Sequence, residues 1–191
     1  MIDYANKVFS DYTRWLPKEA IQGRVAELGP GELYGTLLQI LNAGASEAHV
    51  VDRFVPHRHS DRTNEYYARF AHRNALSHLF DGAPSAKTIK NLHMHEGVSA
   101  EFFFQQQYES FDLVVSNAVL EHTTNPLAVL SAIAAALKPG GCSVHAIDFR
   151  DHGLFTPDHH PLTFLTVNDP VYRWMIAGAP IVYCCPAIDN G

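Results

Sequence analysis

The sequence predicts an α/β fold, a doubly wound and mostly parallel sheet with helices on both faces. Residues 25–41 read as an apolar run, a Gly-Pro-Gly loop and a helix, the order in which a buried strand hands the chain to a covering helix. Residues 47–52 form a second apolar run that closes on Asp52, about 20 residues after Gly31, where a doubly wound fold places an acid. Residues 111–117 are a β-branched run of the kind found in buried central strands, followed by a helical pattern over 127–137.

Taken in order, residues 1–16 carry Val8, Phe9, Tyr12, Trp15 and Leu16 at helical spacing, with Pro17 as the stop. They predict an amphipathic helix packed on the domain. The first strand ends in the stretch Glu27-Leu28-Gly29-Pro30-Gly31. Glycines there let the backbone turn and let a ligand approach without meeting a Cβ. The helix expected from Leu33 to Ala43, stopped by Gly44, presents free N–H groups and a positive dipole end toward the loop. A dinucleotide fingerprint would need glycine at the sixth loop position, which is Tyr34. A tyrosine there would crowd a pyrophosphate and obstruct close packing. Glu27 would repel a pyrophosphate, whereas it suits a ligand carrying an ammonium and a sulfonium.

A strand over 47–52 ends in Asp52, whose carboxylate can accept two hydrogen bonds from a vicinal diol. A helix is expected over 64–80, a loop at 81–84, and a short third strand over 88–94. The central strand 111–117 leads to Leu120-Glu121-His122, and Asn125-Pro126 starts the helix that Lys138-Pro139-Gly140-Gly141 ends. A fifth strand over 142–149 places Asp148 at the sheet edge where open α/β sheets bind ligands. Helices broken near Asp169-Pro170 follow, and residues 180–185 could form a sixth strand.

These segments resemble the class I S-adenosylmethionine-dependent methyltransferases. Their first motif is an acid, any residue, glycine, any residue, glycine, which residues 27–31 match; Leu33 stands where a third glycine is frequent. The block Phe111 to Gly141 resembles them in its Phe-Asp-Leu-Val strand, the Leu-Glu-His that follows, and the helix-end turn. The resemblance spans roughly residues 23–165 and implies a Rossmann-like methyltransferase fold with S-adenosyl-L-methionine as cofactor. By that resemblance Glu27, Leu28, Gly29, Pro30, Gly31, Asp52, Arg53, Ser99, Ala100 and Asn117 would contact the cofactor. Ser99 replaces the usual acid beside the adenine amino group, and Glu96 is the other candidate acceptor. The first helix would serve as a cofactor cover or simply as packing. His122 and Asp148 are the candidate acid–base residues, with His122 also readable as a residue shaping its loop. Arg150 would bind an anionic substrate group or pair with Asp148 or Asp151.

The chain of 191 residues suits one domain with a sizeable core: an N-terminal helix (1–22), a cofactor-binding core (23–165) and a shortened end (166–191). The expected terminal strand hairpin is incomplete. That predicts an exposed sheet edge able to support a homodimer, and suggests a truncation or frameshift of a longer ancestor. A net charge of −6 argues against a broad basic surface for nucleic acid or anionic membrane. With no signal-peptide pattern, no spanning apolar run, and an odd three cysteines of which two are adjacent, a cytoplasmic protein is expected. The pairs His57 and His59, His93 and His95, and His159 and His160 invite a metal, yet no cysteine or carboxylate completes a set at typical spacing, so none is expected. The function expected is methyl transfer to a small molecule. The alternatives are a cofactor-binding protein without turnover, or a nicotinamide-dependent oxidoreductase.

Overall fold

The structure is a computed structural model that describes residues 1–54, 60–150, 160 and 162–176. Five strands form one all-parallel sheet: β1 (Gly23–Leu28), β2 (Ala45–Asp52), β3 (Leu92–Glu96), β4 (Phe111–Asn117) and β5 (Leu137–Ala146). Their order is β3-β2-β1-β4-β5, with β1 in the centre. The sheet is the doubly wound one that the alternation of strand and helix patterns predicts, and among the described residues it is open, with β3 and β5 at its edges.

Successive strand residues point to opposite faces, and the two faces bury separate cores. Val25, Val50, Leu113 and Val115 pack against α1 (Ile2–Thr13), α2 (Gly35–Asn42) and α3 (Asp61–Arg73). Ala26, Leu28, Val51 and Val114 pack against α4 (Ala100–Gln105) and α5 (Pro126–Ala136). Asp112 ties the entry to the sheet together: its Oδ2 accepts from the Arg24 backbone N–H at 2.8 Å and from Lys138 Nζ at 2.7 Å. No described helix is long and apolar enough to cross a membrane.

The larger departures from the sequence expectation each have a local reason. The helix expected to run to Phe80 ends at Arg73, because Asn74 turns its amide onto the Phe70 carbonyl at 3.0 Å and Ala75 takes φ 58°. The third strand starts at Leu92 rather than Thr88. Thr88 is spent on a 3-10 turn, its hydroxyl donating to the Ala83 carbonyl at 2.8 Å, and Asn91 at φ 56° redirects the chain. The short helix α4 was not anticipated; Ser99 caps it, accepting from the Phe102 N–H at 3.3 Å. Finally, β5 begins at Leu137, paired with Phe111, breaks register through the Pro139-Gly140-Gly141 segment, and resumes at Cys142 opposite Leu113. It ends at Ala146, so Asp148 lies beyond the strand.

After β5, a 3-10 turn (Thr163–Thr166) and α6 (Asp169–Ile176) match the expected break near Asp169-Pro170. The proposed sixth strand over 180–185, with Cys184 and Cys185, lies outside the described residues, as do Asp151, His57, His59 and His159.

Candidate functional site

Because the strands are parallel, all their carboxyl ends lie on one edge of the sheet. From β1 the chain moves outward to β2 and β3; from β4 it moves the other way to β5. The crevice between the β1 and β4 ends is the switch point at which such sheets bind ligands. Glu27, the 29–31 loop, Asp52, Ser99, Asn117, His122 and Asp148 all come from the ends of strands or the loops after them on this edge.

The glycine loop is shaped from two sides. Gly29, at φ 55°, donates its N–H to the Val51 carbonyl at 2.9 Å, and a Cβ there would sit 2.7 Å from Val119 Cγ2 in the loop after β4. Gly31, at φ 73°, has nothing within 4 Å of where a Cβ would be. The first glycine lets two loops close together, and the second leaves the floor open to a ligand. Pro30 lies half-buried between them, and Leu28 turns its side chain into the core beneath α5. Tyr34, which the sequence suggested would crowd this loop, instead is fully buried. Its N–H donates to Tyr67 Oη at 3.2 Å and its hydroxyl to Glu96 Oε1 at 3.2 Å. The close-packing glycine is the next residue, Gly35, where a Cβ would stand 2.4 Å from Tyr66 Oη and 2.7 Å from Ala5 Cβ.

Glu27 is the most unusual group of the crevice. It is buried on the α1 side of β1, and burial pushes its carboxyl up to about 8, with the Tyr12 hydroxyl pulling the other way. Tyr12 is itself buried, and burial raises its phenol far above the ordinary value. The two groups are close enough to feel one another, yet neither Glu27 Oε2 nor Tyr12 Oη has a partner of hydrogen-bonding geometry. A buried carboxylate oxygen without a donor is costly, and a cationic donor entering the crevice would relieve it.

Asp52 ends β2 next to Glu96 of β3, is buried, and accepts from the Phe54 N–H at 2.9 Å. Arg53 is exposed beside it. Ser99 and Ala100 open α4, with the serine hydroxyl engaged in the cap; the other candidate acceptor, Glu96, takes the Tyr34 hydroxyl. Asn117 donates its amide to Tyr4 Oη at 2.9 Å, which brings α1 over the crevice.

The loops after β4 and β5 are joined. His122, half-buried, ends a 3-10 turn whose middle residue, Glu121, is buried and accepts the Asp148 N–H on Oε1 at 3.1 Å. Asp148 pairs with Arg150, whose Nε lies 2.8 Å from Oδ1 and 3.0 Å from Oδ2. Below them Ser116 Oγ meets His145 Nδ1 at 2.8 Å, and burial lowers the imidazole to about 4. His145 Nε2 is buried without a partner. Tyr4, Glu121 and His145 were not singled out from the sequence, and Tyr12 was read only as part of a helical stripe. Glu121 alone carried a signal, as the middle residue of Leu-Glu-His.

Several solved structures are similar to this chain. An S-adenosylmethionine-dependent methyltransferase described as putative, from Listeria monocytogenes, is 18% identical over 78% of this chain and 57% of that one, with a TM-score of 0.49. One from Mesorhizobium loti is 17% identical over 71% and 50%, with a TM-score of 0.46. A sarcosine dimethylglycine methyltransferase from Galdieria sulphuraria, also described as putative, is 16% identical over 92% and 60%, with a TM-score of 0.47. The chain spans between half and three-fifths of these structures. No curated protein matches it. The family model described as "Methyltransferase domain" matches residues 3–173, nearly the whole described chain. With its parallel 3-2-1-4-5 sheet and glycine loop at the switch point, the chain belongs to the class I methyltransferase-domain family.

Proposed function

We propose that the crevice binds S-adenosyl-L-methionine and that the protein transfers its methyl group to a small-molecule acceptor. The observation that carries this reading is Glu27, a buried acid at the end of β1 where the chain enters the glycine loop, whose Oε2 has no partner of hydrogen-bonding geometry. An ammonium fits that oxygen, and no pyrophosphate would. Asp52, at the next strand end, is the residue type that takes a ribose diol. The glycine loop allows backbone N–H groups to come close, and Asn117 offers an amide at the third side. When bound, the cofactor supplies a methyl group already activated by its sulfonium.

The chain's own residues then bind, orient and exclude water. α1 covers the crevice through Tyr4 and Tyr12. His122 and Asp148 stand on neighbouring loops as the candidates to take a proton from the acceptor. Asp148 is positioned by Arg150, and His122 follows Glu121, which anchors the Asp148 backbone. A small acceptor is supported by the net charge of −6, which does not suit a nucleic acid.

Calorimetric titration with S-adenosylhomocysteine, with NAD in parallel, tests the cofactor. Saturable binding of the former, lost in Asp52→Ala with the fold retained by circular dichroism, is expected. Binding of NAD alone would overturn the reading. Transfer of label from methyl-labelled cofactor into a panel of small acceptors then separates turnover from binding alone.

A further inference from the structure

At the far end of β2 and β3 from the crevice, two histidines and a glutamate converge. Glu47 and His49 share one face of β2, and His93 of β3 is the cross-strand partner of His49. His49 lies three residues before Asp52, roughly 10 Å along an extended strand. One nitrogen of each ring and one carboxylate oxygen all fall within 4.8 Å of each other. We propose that Glu47, His49 and His93 form a binding site for a divalent transition-metal cation of the zinc class.

The distances suit it. Ligands of a tetrahedral zinc with bonds of about 2.0–2.1 Å stand about 3.3 Å apart. Glu47 Oε2 is 3.1 Å from His93 Nε2 and 3.6 Å from His49 Nε2. Two imidazoles and a carboxylate are also the donor set that this ion takes, leaving a fourth position for water.

The hydrogen-bond network makes the case stronger. Arg24 Nη2 lies 3.3 Å from His49 Nε2. Arginine only donates, so Nε2 is an acceptor and the ring proton sits on Nδ1. That proton points at His95 Nε2, 3.0 Å away, in the manner of an outer-shell partner that orients a metal-bound histidine. Glu47 Oε2 stands 3.6 Å from the same Nε2, so two acceptors lie side by side with only Arg24 Nη2 donating to the nitrogen. A cation between the two acceptors resolves the conflict.

Arg24 partly does so now. Its Nε stands 2.7 Å from Glu47 Oε1, the oxygen that the histidines do not share, and its guanidinium lies over Phe111, 5.1 Å from the ring centre. It can keep both contacts while Nη2 gives way. The pairing of His93 with His95 that the sequence shows conceals the cross-strand set of His93, His49 and Glu47. The ion would clasp the edge strand β3 to β2.

The test is a zinc titration of the chelator-stripped, full-length protein by calorimetry, with cobalt absorption as a readout of coordination. One ion per chain and a raised Tm are expected. His93→Ala, a half-exposed position that the fold does not need, and Glu47→Gln are each expected to weaken binding at least about tenfold, since even outer-shell losses cost that much. Absence of saturable binding would overturn the site. So would affinity equal to the parent protein's in both variants, which would assign the metal to other histidines of the chain.

Discussion

Asn117, at the carboxyl end of β4, donates its side-chain amide to the phenol oxygen of Tyr4 at 2.9 Å, joining residues 113 positions apart. This bond closes the amino end of α1 over the switch point of the sheet. Tyr4 is 61% exposed, so its removal costs the fold little. Tyr4→Phe is expected to change Tm by less than about 2 °C, yet to weaken S-adenosylhomocysteine binding about fivefold, the worth of one hydrogen bond of about 1 kcal/mol. Thermal melts and calorimetric titration on the same samples check both halves. Unchanged affinity would remove α1 from the cover of the crevice.

The two loop glycines should fail differently. Gly29→Ala combines φ 55° with a Cβ 2.7 Å from Val119 Cγ2, so it strains the backbone and pushes the loop after β4. It is expected to destabilise by about 2–4 kcal/mol. Gly31→Ala meets open space and carries only the φ 73° penalty, about 1 kcal/mol. Its expected defect is in binding, because the new methyl stands on the cofactor floor. Denaturant melts and titrations separate the two.

Those glycines were legible because their environment is local: a turn between an apolar run and a helix announces itself within a dozen residues. The same holds for Asp52 at the end of β2 and for the β-branched Phe111–Asn117, whose partners need not be known for the strand to be read. Contacts between distant segments were not legible. Nothing near Tyr12 in the sequence names Glu27, and the set Glu47, His49 and His93 exists only once β3 pairs with β2 in the observed register. Helix α4 was hidden because its six residues hold three phenylalanines and too few turns for a period to show.

Gly35 illustrates the same limit. A fingerprint read by position seeks a small residue at 34 and finds tyrosine, while the structure uses 35. A Cβ there would come within 2.7 Å of Ala5 on α1 and 2.4 Å of the Tyr66 hydroxyl on α3. Gly35→Ala is expected to cost about 1–3 kcal/mol by overpacking. Adding Tyr66→Phe should recover part of it by removing one of the two clashing atoms, while the backbone-fixed Ala5 leaves the rest. A double-mutant cycle in urea measures the coupling; strictly additive losses would show that the Tyr66 hydroxyl does not meet this glycine.

Glu27 makes stability and binding depend on pH in opposite senses. Its carboxyl sits at about 8 in the folded chain against 4.5 for an ordinary glutamate, chiefly through burial. Between those values the folded state holds a proton that the unfolded state has lost. The stabilising effect of the buried neutral acid is therefore complete below 4.5 and is lost as pH rises through about 8. The slope is at most about 1.4 kcal/mol per pH unit. Glu27→Gln mimics the neutral form and should flatten this decline in urea melts run from pH 5 to 9. An ammonium bound against Oε2 favours the ionised form, so cofactor binding near pH 7 should expel close to one proton. Titrations in phosphate and in Tris, whose ionisation enthalpies differ, read that proton directly. In Glu27→Gln the buffer dependence should vanish along with much of the affinity. Buffer-independent heats in the parent protein would mean that Glu27 keeps its proton in the complex, and that the ammonium is held elsewhere.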